Sequence, residues 1–125
     1  MSEPLRHIPN SDLAAADPTP GMHRKMAIAS DGMWSGLVDT DPGMVSGWHH
    51  HGTFETTIYV ASGALHMEHG PAGRSTIDAL PGDFIHVPPG AIHREGNPTS
   101  EVATLVVVRA GHGQPTVNVD GPEPG

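Results

Sequence analysis

Turn-forming residues interrupt this chain at intervals too short for helices, and that spacing limits its fold more than any other feature. Asp31-Gly32, Asp41-Pro42-Gly43, Ser62-Gly63, Gly70-Pro71-Ala72-Gly73, Pro81-Gly82 and Pro88-Pro89-Gly90 each supply a positive or fixed φ where a chain reverses. Between them run short apolar stretches, roughly 22–29, 33–39, 43–50, 56–62, 64–69, 74–79, 83–87 and 101–109. None keeps a helical period over three turns, so the pattern predicts an all-β sandwich or barrel. The run Val102–Val108 is apolar at both alternating positions, which predicts a strand covered on both faces. The 16 glycines and 13 prolines, a share that can signal disorder, are distributed here as punctuation between strands.

With 125 residues, one domain is expected. Residues 1–21 contain Pro4, Pro9, Pro18 and Pro20 and read as an arm able to lie on a neighbouring subunit, with a short helical turn at 11–16. Residues 22–110 form the β-barrel, and 111–125 a Gly/Pro-rich tail with one edge strand over 116–120. A symmetric homodimer would cover the arm and an apolar outer face. The net charge of −8, from 14 acidic against 6 basic side chains, argues against a nucleic-acid partner. No apolar run approaches the ~20 residues of a membrane span, and no basic segment precedes an apolar one near the start. A cytoplasmic protein with no membrane partner is expected. Without cysteine there are no disulfides, thiolate ligands or thiol nucleophiles.

Imidazole is the obvious chemical resource: ten histidines, three of them consecutive. In Trp48-His49-His50-His51-Gly52 strand alternation puts His49 and His51 on one face, able to converge on one ion, and His50 on the other. The alternative is a solvated histidine patch. The best third ligand is His93, whose entry is fixed by Pro88-Pro89-Gly90, although a histidine after a turn is also an ordinary surface residue.

These residues resemble the cupin superfamily. From Gly43 the chain reads G-x5-H-x-H, through His49 and His51, and continues to Gly63. From Gly82 it reads G-x5-P-x-G-x2-H-x3-N, placing Pro88, Gly90, His93 and Asn97. The resemblance implies a jelly-roll (double Greek-key) β-barrel with a metal held inside it by His49, His51 and His93. The first motif's glutamate is where the chain departs: counting forward from His51 with three intervening residues reaches Glu55, whereas counting back seven from Gly63 reaches Thr56. Alternation favours Thr56 inward with Ile58 and Val60, leaving Glu55, Thr57 and Tyr59 outward. Glu55 then stands as an alternative fourth ligand or catalytic base, and His86 as an alternative cavity base.

An all-histidine shell suits a divalent transition metal (zinc, iron, nickel, copper or manganese) rather than magnesium or calcium. Trp34 and Trp48 are expected to bury apolar area, Arg94 to form a surface ion pair, and His66 and Glu68 to be exposed. No nucleophile elbow, phosphate loop or dinucleotide fingerprint is present. The leading reading is a metal-dependent cupin acting on or binding a small molecule inside the barrel, most concretely an oxygen-dependent dioxygenase, with isomerase or lyase chemistry also open. The competing readings are a non-enzymatic sensor or storage module and a metal-free structural domain.

Overall fold

In the computed structural model, which describes residues 3–16 and 19–125, the regular secondary structure is nearly all strand. Of the expected arm, residues 1, 2, 17 and 18 lie outside the described residues. Of the helical turn expected over 11–16, only the end of a 3-10 turn at Asn10–Asp12 is found, the one such turn among the described residues, and Ala14–Ala15 is a strand instead. Eleven strands follow in chain order: β1 (Ala14–Ala15), β2 (Met22–Ser30), β3 (Met33–Thr40), β4 (His49–His50), β5 (Glu55–Ser62) and β6 (Leu65–His69), then β7 (Ser75–Ala79), β8 (Phe84–Val87), β9 (His93–Gly96), β10 (Ala103–Ala110) and β11 (Val117–Asn118). They form two antiparallel sheets, ordered β1-β2-β3-β10-β5-β8 and β11-β4-β9-β6-β7. From β3 onward the chain repeatedly crosses between the sheets, which is the winding of a jelly roll.

The inner faces follow from alternation. Ile58 and Val60 on β5, Ile85 and Val87 on β8, and Leu105 and Val107 on β10 pack against Leu65, Met67 and Ala79 of the other sheet. These side chains account for most of the apolar burial that holds the sheets together. β10 is central to its sheet, between β3 and β5, yet only Ala103, Leu105, Val107 and Arg109 are buried. Val106 is half-buried and Val108 exposed, because nothing in the described residues covers the outer face of this sheet. The two-sided covering that the sequence suggests is therefore absent within one chain.

Two elements depart from the sequence pattern. The expected strand over 43–50 is reduced to His49–His50, because the segment before it follows β9 through broken pairing: Gly43 N donates to Asn97 O, Asn97 N to Met44 O, and Ser46 N to Glu95 O. The strand it follows, β9, has no apolar alternation and buries His93 and Glu95, with Asn97 buried just beyond it. At its end Asn97, 1% exposed, donates to the carbonyls of Thr40 and Glu101 and accepts from the Thr99 amide and hydroxyl. One side chain thereby pins the β9–β10 loop to β3. Asn97→Ala is expected to cost about 3 kcal/mol in urea unfolding, since it orphans several buried groups together. A loss under about 1 kcal/mol would show that the loop is held by its backbone alone.

Candidate metal centre

β4 and β9 are neighbours, and their register sets His49 directly opposite His93. His51 follows two residues after His49, where alternation returns the side chain to the same face. The three rings meet: centroids lie 4.3 Å apart for His49 and His93, 5.0 Å for His51 and His93, and 5.2 Å for His49 and His51. All three are buried, and their candidate ligating nitrogens lie within 4.8 Å of one another. His50 faces away, its Nδ1 accepting from the Gly52 amide and tightening the following turn.

The tautomers are set by the backbone. His49 Nδ1 donates to Gly47 O at 2.8 Å, His51 Nδ1 to Pro115 O at 2.8 Å, and His93 Nδ1 to Ala91 O at 2.9 Å. A carbonyl can only accept, so each Nδ1 carries a proton, and in the neutral ring Nε2 is left with the lone pair. Such outer hydrogen bonds are the usual means of aiming a metal-binding imidazole. His93 Nε2 is buried with no hydrogen-bond partner. A buried acceptor left unmatched costs ~1–3 kcal/mol, which coordination would recover. The donor set therefore fits a transition metal.

Glu95, two residues beyond His93 on the same face of β9, is the carboxylate of this site. It is 6% exposed, and its Oε1 lies 3.6 Å from His49 Nε2. Burial would raise its pKa, but the approach of His49 and the charges of His93 and His51 hold it well below the usual carboxylate range. Burial likewise works to lower His49, yet Glu95 and the Gly47 carbonyl prevail and raise it. For His51 burial dominates, with Arg109, His93 and His49 acting in the same direction, and the pKa falls to about 4. Burial also lowers His93. His51 and His93 are therefore neutral at pH 7, the form that binds metal.

Glu55 and His86 are not brought to this cluster. They lie on the outer face of β5 and β8, about 60% exposed, joined by a 2.9 Å hydrogen bond. Thr56 faces inward, 1% exposed, with its hydroxyl unmatched. Arg94 pairs with Glu68 and stacks over Trp48, its guanidinium carbon 4.7 Å from the ring centroid. Glu68 is thus half-buried, as is His66, which bonds Asp78. Glu95 escaped the sequence reading, although continuing the parity from His93 by two residues marks it as sharing the histidine's face.

A cavity of about 690 Å³ opens beside the cluster, with His49, Arg109, Arg24, Trp34, Met22 and Phe54 in its wall. That volume suits a small organic molecule.

The cupin domain family matches residues 36–109, 74 of the 125 residues. No curated protein matches the sequence. Among solved structures, the polyketide cyclase RemF from Streptomyces resistomycificus superposes with a TM-score of 0.76 at 22% identity, over 93% of this chain and 86% of that one. KdgF from Halomonas sp. gives 0.72 at 21% identity, over 87% and 96%. A conserved protein with a double-stranded β-helix domain from Klebsiella pneumoniae gives 0.70 at 20% identity, over 85% and 91%. At these identities the likeness concerns the fold. Taken with the family match over most of the barrel, it establishes that this chain belongs to the cupins.

Proposed function

We propose that this cupin holds a divalent transition metal on His49, His51 and His93 and acts on a small organic molecule in the adjoining cavity. The observation that carries the reading is the shared hydrogen bonding: three buried, neighbouring rings commit Nδ1 to backbone carbonyls, so that in the neutral rings Nε2 is the nitrogen left to bind a metal. A divalent ion bound there supplies Lewis acidity toward a substrate oxygen, and a redox-active ion would extend the chemistry to dioxygen. The chain's own groups do the rest. Glu95, held ionised, places one negative charge beside the nitrogens. The backbone carbonyls of Gly47, Ala91 and Pro115 hold the rings. The polyketide cyclase and KdgF share the fold and choose no reaction for this chain. Turnover by the metal-loaded protein of a candidate substrate, lost on chelation and restored by the ion, separates an enzyme from a binding module.

Glu55 and His86 have no part in this reading. Glu55→Gln is expected to leave zinc affinity within about twofold in a competition titration, while His51→Ala lowers it more than about a hundredfold. Equal losses would return Glu55 to the metal. We also propose a homodimer, supported by Phe84, 70% exposed and in contact with Tyr59, and by the exposed Val108, all on the outer face of the six-stranded sheet. Sedimentation as a monomer would remove that part.

A further inference from the structure

Three buried side-chain nitrogen or oxygen atoms among the described residues lack a hydrogen-bond partner: His93 Nε2, Thr56 Oγ1 and Arg109 Nε. The first belongs to the proposed metal site. The other two face each other in register on β5 and β10. Arg109 is 7% exposed and forms no ion pair among the described residues, although the buried Glu95 lines the same narrow recess and acts on it through space. Its guanidinium carbon lies 5.0 Å from the Trp34 ring centroid, so the indole backs the cation and holds its plane. It lines both the large cavity, with His49, and the narrow recess behind it, with His51 and Thr56. Arg24 also lines both spaces and donates to the Thr19 hydroxyl at 2.7 Å. Two of the chain's six basic side chains thus stand around one concavity in a protein of net charge −8. Burial first, and then the charge of Arg24, pull the Arg109 pKa down to about 10, against the opposing charge of the buried Glu95. An anion delivered to the cavity side of Arg109 opposes both effects.

We infer that Arg109, backed by Trp34, is the recognition residue for the carboxylate of an organic acid whose apolar body fills the cavity beside the three histidines. A guanidinium presents a planar fork that matches a carboxylate. Met22, Trp34 and Phe54 supply the apolar wall for the remainder of the molecule. This inference deepens the proposed function by naming its ligand class and rests on that reading for the cavity's role. It does not require the metal to be bound.

The test is calorimetric titration of the chelator-stripped protein with 1-naphthoate and with its neutral counterpart, 1-naphthamide. The wild type is expected to bind the carboxylate at least tenfold more tightly, with a preference that shrinks as salt is added. Arg109→Met, which keeps the length of the side chain, should abolish the preference while leaving amide affinity within threefold. Should that variant fail to fold, Arg109→Lys takes its place and should cut the preference at least threefold, since an ammonium lacks the fork. Equal binding of the two probes by the wild type, or an undiminished preference in either folded variant, overturns the inference. Zinc titration of the same wild-type protein is a separate readout. Its failure would remove the metal reading and leave the Arg109 result standing, and the converse also holds.

Discussion

His93→Ala is expected to abolish transition-metal binding while leaving a folded barrel. His93 is the central ring of the cluster, within 5.0 Å of both others and 1% exposed. The two remaining imidazoles belong to one short segment, so without His93 no group from β9 closes the site except Glu95. The affinity loss should exceed the ~10–100-fold that follows removal of an outer hydrogen-bond partner. The stability of the metal-free protein should fall much less. Truncating a large buried side chain costs ~2–4 kcal/mol, but an unmatched buried nitrogen disappears with it, returning ~1–3 kcal/mol. A lowering of Tm by only a few degrees is expected in the metal-free state. Added zinc should raise the wild-type Tm and leave that of the variant unmoved, since only a binding-competent native state gains from the ion. Unchanged metal content after dialysis would exclude His93 as a ligand.

Gly63→Ala should be the most destabilising single-methyl change in the two motif segments. Gly63 stands where the chain leaves β5 for β6 and crosses between sheets, with φ of +81°. A Cβ built there meets the Ala103 Cβ at 2.6 Å and its Cα at 2.8 Å, and Ala103 is fully buried on the central strand β10. The substitution adds left-handed strain of ~1–2 kcal/mol to an overpacking cost of ~1–3 kcal/mol. Gly82 isolates the two effects, for its φ is +95° and a Cβ there meets nothing within 4 Å. Gly82→Ala should carry the strain alone, at about half the cost in urea unfolding. Equal costs would mean that the Gly63–Ala103 approach relaxes freely.

These two glycines show why so much of the barrel is legible in the sequence. The turns demand particular backbone angles, and only a few residues supply them. The strands that pack the core alternate cleanly, as in Ile58 and Val60 or Leu105 and Val107. Hidden elements are those whose buried positions are polar. β9 buries His93 and Glu95, with Asn97 buried just beyond it, in place of aliphatic residues, so hydrophobic periodicity passes over a strand that carries part of the site. The reduction of β4 has the same origin, since its partner is this polar strand. Alternation placed Thr56 inward and Glu55 outward, whereas motif spacing alone pointed both ways. Pro115 left no signal at all: its carbonyl aims His51 from across 64 residues, brought there because β11 pairs with β4. Contacts of that kind belong to the fold and are absent from local pattern.

The central claim is that three imidazoles, turned by backbone carbonyls, share one ion. X-ray absorption at the zinc edge of the reconstituted protein addresses it without any assumption about substrate. The account requires one zinc per chain, with multiple scattering from three imidazoles and Zn–N distances of about 2.0–2.1 Å. A first shell of oxygens with one imidazole or none would contradict it, whatever the barrel's stability.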